Sequence, residues 1–148
     1  MKAMSDKIHT SAARRCACAN IRRTDRVVTG FYDEMLASSG LSAPQFTLLA
    51  TLAEAAPISI NCLAEIMEVD RTTLTRNLGL LIKQHLVRLV EGEDRRMRLV
   101  HLTQEGEQAL RRAWPLWQEA QAKIEHALGR ERFEGLLTVL SAVVAAAS

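Results

Sequence analysis

Apolar residues first recur along the chain at helical spacing. Ile21, Val27, Val28, Phe31, Met35 and Leu36 fall at mixed three- and four-residue steps in a stretch without proline, which predicts one long amphipathic helix over about 12–38, ended by Ser38, Ser39 and Gly40. Ser42-Ala43-Pro44-Gln45 then combines an N-cap hydroxyl, a first-turn proline and a glutamine at the capping-box position, so a second helix opens there and carries Phe46, Leu48, Leu49 and Leu52. Pro57 stops it and allows a short extended stretch at Ile58, after which Ser59 caps a helix bearing Leu63, Ala64, Ile66 and Met67. Asp70 caps the next, over about 71–84, with Leu74, Leu78, Leu81 and Ile82 on its inner face. The opposite face is polar.

From Leu86 the period changes to alternation. Val87 and Leu89 flank Arg88, a polar turn runs from Glu91 to Arg96, and Leu99, Val100 and Leu102 follow, which predicts two strands joined by a charged turn. Thr103 opens a long helix in which Pro115 is expected to cause a bend, and Gly129 ends it. A last helix carries Phe133, Leu136, Leu137, Leu140, Val143 and Val144. The predicted fold class is mainly α (α+β): a loose tail over 1–11 and a single domain over 12–148, with three helices and a hairpin at its centre (about 42–102).

With 148 residues there is room for one compact domain, and a composition of 48% hydrophobic and 24% charged residues supports a packed core. No apolar run suits a membrane span or a signal peptide, so the expected location is the cytoplasm, with no membrane partner. Three cysteines, Cys16, Cys18 and Cys62, are too few for a disulfide framework and agree with that location. The net charge of +2 says little, but its distribution is uneven: residues 1–30 carry +5, 31–69 carry −5, 70–102 carry +3 and 103–148 carry −1. Two basic blocks of this kind are the electrostatic footprint of a polyanion partner.

The order of two short helices, a polar-faced helix and a basic hairpin is that of a winged helix-turn-helix. A B-form major groove admits one helix, and its base edges offer acceptors and donors that arginine, asparagine and threonine match. Arg71, Thr72, Thr73, Thr75, Arg76 and Asn77 provide such groups at the start of the polar-faced helix, where free amides also favour phosphate. Arg95, Arg96 and Arg98 at the hairpin tip suit phosphates or the narrow minor groove. Asp94 beside them would repel DNA unless paired, so it is expected to orient Arg76 or Arg96. The last helix would leave a large apolar patch on a lone subunit, which favours a second copy as its cover.

These residues carry a family resemblance. The run from Asp70 through Leu81, followed by Leu86 to Val90 and by Asp94-Arg95-Arg96 to Thr103, resembles the MarR family of bacterial transcriptional regulators, with the wing's Asp-x-Arg step on Asp94 and Arg96 and the Thr-Arg pair on Thr75 and Arg76. The resemblance implies a homodimer held by its N- and C-terminal helices (about 12–38 and 103–147), binding a pseudo-palindromic double-stranded operator. It also implies a repressor released by a small molecule or by thiol oxidation. Family members with organic-hydroperoxide sensing carry a reactive cysteine near the start of the first helix.

Three further sets of residues bear on regulation. Cys16 and Cys18, two apart on a predicted helix, would point about 200° from each other, which disfavours a bond between them, yet one alone beside Arg14, Arg15, Arg22 and Arg23 is a candidate thiol sensor. Cys62, among the apolar residues of a core helix, is expected to be inert. Phe31, Tyr32, Met35, Phe46, Trp114 and Trp117 lie on helices that the family arrangement brings together, where an aromatic cleft would take a phenolic or other aromatic effector with Arg22 or Arg23 as counter-charge. The four histidines show no ligand spacing, so neither a metal nor another cofactor is expected, and no nucleophile–base pair suggests an enzyme. A helical protein-interaction module with an incidental basic hairpin is the alternative from another class.

Overall fold

A computed structural model describes residues 14–94 and 96–148. The tail expected at 1–11, and Arg95, lie outside the described residues. The chain is mostly helical: α1 (Ala17–Leu36), a 3₁₀ turn (Ala37–Ser39), α2 (Ala43–Ala55), β1 (Ile58–Ser59), α3 (Ile60–Met67), α4 (Arg71–Lys83), β2 (Val87–Glu91), β3 (Arg98–Leu102), α5 (Gln104–Leu128) and α6 (Arg130–Ala147). No helix among the described residues is long and apolar enough to cross a membrane.

Local chemistry sets the helix starts. Ser42 and Gln45 form the reciprocal capping box of α2, with Pro44 in its first turn. The Ser59 hydroxyl accepts from the Cys62 amide at the start of α3, and Thr103 does the same for Gly106 at the start of α5. The sheet is antiparallel in the order β1-β3-β2, with Ile58 opposite Val100 and Val87 opposite Leu102. Its short edge strand β1 ties the entrance of α3 to the hairpin.

One core joins these elements. Phe46, Leu48, Leu49 and Leu52 of α2 meet Leu63 of α3, Leu74, Leu78 and Leu81 of α4, Val87 and Val100 of the sheet, and Ala109 and Ala113 of α5. Each fully buried leucine there contributes about 2 kcal/mol by leaving water. Asp33 Oδ1 accepts the Ala43 amide at 2.6 Å and so pins α1 to the first turn of α2.

Two local expectations change. The helix predicted from residue 12 is interrupted: Arg14 and Arg15 are helical, but Cys16 is extended (φ −71°, ψ 118°) and α1 begins at Ala17. Cys62 and Ile66 are exposed, because α3 buries Leu63 and Ala64, packs Ile60 and Met67 partly against the core, and turns Cys62 and Ile66 outward. α5 runs without interruption through Pro115. None of the residues of α6 is buried within the subunit, and Leu136, Leu137, Val139, Leu140 and Val144 stand exposed.

Candidate nucleic-acid interface

The reading surface starts at the cap of α4. Asp70 Oδ1 accepts the Thr73 amide at 2.9 Å, and its other oxygen takes the Thr73 hydroxyl in a short hydrogen bond. These bonds hold the Asp70 carboxyl below its usual range, since they favour the ionised form. Thr75 donates its hydroxyl to the Arg71 carbonyl at 2.7 Å. The hydroxyl protons of Thr73 and Thr75 are thus committed to their own helix, and both side chains keep acceptor lone pairs for a ligand. Thr72, Arg71 and Arg76 are exposed, and their side chains make no hydrogen bond among the described residues. Asn77 is half-buried and lines a 170 Å³ hollow with Leu80 against Pro44 and Gln45 of α2, so it sits at the edge of the face.

The wing turn is closed by backbone bonds from Gly92 to Met97 and from Met97 to Asp94, each 2.8 Å. Asp94 Oδ1 accepts the Arg96 amide at 3.0 Å, so it shapes the turn through the main chain. No ion pair joins Asp94 to the guanidinium of Arg76 or Arg96 among the described residues. Arg96 and Arg98 are both exposed. A groove of about 220 Å³ runs between the wing and the start of α4, lined by Ser59, Asn61, Arg71, Asp94, Arg96 and Arg98. Three arginines, from α4 and the hairpin, therefore line one concave path together with Asp94, with a helix N-terminus beside it, and the excess of positive charge suits phosphate contact. Ser59 and Asn61 were not evident from sequence as interface residues. The cue was available in the Ser59 cap, which sets Asn61 in the first turn of α3 next to the wing.

Comparison with known proteins fits this geometry. The sequence model described as "MarR family" matches residues 39–97, spanning the turn before α2 to the wing. The transcriptional regulator MosR of M. tuberculosis, solved in complex with DNA, is 36% identical, with 87% of this chain and 98% of MosR covered and a TM-score of 0.75. The chain belongs to the MarR family. MarR-family proteins are DNA-binding transcriptional regulators, and this one has their winged-helix fold. The HTH-type transcriptional regulator YpoP of Bacillus subtilis is 31% identical over 91 residues, which are 61% of this chain and 64% of YpoP. A MarR variant from E. coli complexed with operator DNA shares the fold at 24% identity and TM-score 0.78, covering 90% of this chain and 94% of its own.

The expected aromatic cleft of this MarR-family chain is divided. Tyr32, Phe46 and Trp117 line a hollow of about 180 Å³ with Val28, Thr29 and Leu36. The Phe46 and Trp117 rings stack with centroids 5.7 Å apart, and Trp114 lies 5.1 Å from Trp117 on the outer side. The Tyr32 hydroxyl donates to Gln121 Oε1 at 2.6 Å, and Gln121 donates in turn to Glu125. Burial, and then the charge of Glu125, raise the Tyr32 phenol above its usual range and keep it neutral. Phe31 meets Tyr32 edge-on, Met35 approaches Lys123, and Arg22 stands exposed on α1; none of these three lines the hollow, nor does Trp114. No charged side chain does.

Cys16, Cys18 and Cys62 are all exposed. Because Cys16 lies in extended backbone before the helix, the 200° separation expected for two cysteines on one helix does not apply to Cys16 and Cys18. Among the described residues no three metal-ligating side chains cluster.

Proposed function

We propose that the protein is a homodimeric, sequence-specific DNA-binding repressor that acts in the cytoplasm and is released by a small aromatic effector. The observation that carries the DNA reading is the common groove of Arg71, Arg96 and Arg98 beside the polar face of α4. In this reading Arg71, Thr72, Arg76 and Asn77 address the major groove, Thr73 and Thr75 act as acceptors there, and Arg95, Arg96 and Arg98 follow the phosphates or enter the minor groove. Asp94 holds the wing turn in shape for them. The winged lobe over about 42–102 is the reading head, and the helices at either end form the dimer stem. The exposed apolar residues of α6 support that stem, since a second copy is an economical cover for them.

The hollow at Tyr32, Phe46 and Trp117 supports the effector. An apolar cavity of about 150 Å³ is enough for one benzene ring. Its uncharged lining favours a neutral single-ring phenol over an anion. Selection of bound duplexes from a random pool, followed by titration of salt and of simple phenols, tests the proposal. Binding should concentrate on a palindromic sequence, weaken steeply with salt and be reversed by a phenol. Equal affinity for every duplex at physiological salt overturns the specific-regulator reading.

A second reading is favoured by the exposure of Cys16 and Cys18 at a break in the helix: oxidation or alkylation there releases DNA. Operator binding by the wild type should then be lost on alkylation and retained by Cys16→Ser and Cys18→Ser. Equal sensitivity of the variants removes this reading.

A further inference from the structure

The end of α4 and the start of α5 meet in a knot of main chain. Thr103 Oγ1 donates to the His85 carbonyl at 2.7 Å, and the Thr103 amide donates to the next carbonyl, that of Leu86, at 3.1 Å. The same Oγ1 accepts the Gly106 amide at 3.0 Å, so one hydroxyl serves both as the cap of α5 and as the tie to the turn that follows α4. Gly106 is buried, and a Cβ built there would fall 2.0 Å from the Leu86 carbonyl oxygen and 2.8 Å from Leu102 Cδ1. Glycine is required at this point for close approach. His85 itself takes a left-handed conformation (φ 59°) that turns its carbonyl and that of Leu86 toward α5.

The leverage of this joint is large. α4 has 13 residues, so its reading end at Arg71 to Asn77 is up to roughly 19 Å from the joint. A tilt of about 10° there would move that end by about 3.4 Å, which is one base-pair step. Two bonds from Thr103 to consecutive carbonyls of the turn that follows α4 restrain such a tilt, and Gly106 lets α5 close against that turn.

We propose that Thr103 and Gly106 are positioning residues that set the angle between the reading helix and the stem, and through it the half-site spacing that the dimer accepts. The inference rests on the dimeric DNA-binding reading given above. It assigns spacing selectivity to residues that touch no DNA.

Thr103→Asp separates the two duties of the hydroxyl. A carboxylate still accepts the Gly106 amide and caps α5, but it has no proton to donate to the His85 carbonyl. Duplexes carrying the selected half-sites at the preferred spacing, and at one base pair more or less, provide the readout. In the wild type the preferred spacing should bind best. In Thr103→Asp that preference should shrink roughly three- to tenfold, the worth of one hydrogen bond. Thr103→Ser, which keeps donor and acceptor, should restore it. An unchanged preference in Thr103→Asp, or an equal loss at every spacing, overturns the proposal.

Hydrogen exchange on the wild type without DNA gives a second arm should the Asp variant fail to fold. The Thr103 amide should exchange as slowly as those of Leu78 and Leu81. Exchange as fast as in the wing turn rejects a rigid joint. A wild type that binds no duplex refutes the DNA reading, whereas the exchange result still judges the joint itself.

Discussion

Leu41 through Val100 contribute most of the buried apolar side chains, with Leu49, Leu52, Leu63 and Leu81 all at 0% exposure, whereas α6 buries none of its 18 residues and the first half of α1 stands equally open. The lobe closes its own core, and each of its helices turns one face inward. α6 and the first half of α1 carry apolar residues that nothing within the subunit buries. Burial inside a chain stabilises at any concentration, while burial between chains depends on how many copies are present. In the proposed dimer the two regions therefore obey different laws of stability.

Paired leucine deletions test this difference most strongly. Leu49→Ala should cost about 3 kcal/mol in urea unfolding, from lost transfer energy and the cavity left behind, at every protein concentration. Leu137→Ala, at 46% exposure in the subunit, should cost little in dilute protein and progressively more as concentration rises. A concentration-independent result at Leu137 would mean that the stem is not paired.

Arg96→Ala should leave unfolding unchanged and weaken duplex binding by about 1 to 3 kcal/mol, lowering the slope of log affinity against log salt by about one. A binding loss without a change in that slope would remove Arg96 from the phosphate path. Smaller in effect is Glu68→Gly at the left-handed residue that ends α3 (φ 52°). Relief of the side-chain clash is partly offset by the greater freedom of glycine in the unfolded chain, so a net gain of about 0.5 kcal/mol is expected in thermal unfolding.

The smallest effect concerns pH. Asp70 titrates below its usual range in the folded chain, so the stability from its ionised cap is present above the ordinary carboxyl range and is lost as pH falls through the lowered folded-state value. Melting temperatures of wild type and Asp70→Asn should converge on acidification from about pH 6 to about pH 2. Parallel curves would show that the cap is not linked to protonation.

The caps explain why so much of the lobe was legible in sequence. Ser42, Ser59, Asp70 and Thr103 each act on the amide three residues on, so their neighbours in sequence are their partners in space. The inner faces of α2 and α4 were legible for the same reason, since Phe46, Leu48, Leu49, Leu52, Leu74, Leu78 and Leu81 all recur at helical steps and all are buried. Features set by distant partners were not. Cys62 is exposed because the core lies along Leu63 and Ala64, and composition cannot give that rotation. Arg22 and Met35 miss the aromatic hollow because it opens between α1, α2 and α5 on the side of Val28 and Tyr32. At the interface, the arginines were visible from their residue type, but Asn61 joins them only through the pairing of β1 with β3.

Both tryptophans of the chain and its single tyrosine lie along the seam where α5 meets α1 and α2, with the indoles 5.1 Å apart. Apart from weak phenylalanine bands, near-ultraviolet dichroism and intrinsic emission thus originate from that one locality. Helix α4 and the wing are optically silent. A change in the tryptophan emission when duplex is added reports mechanical communication from α4 and the wing to the seam, observed without any label.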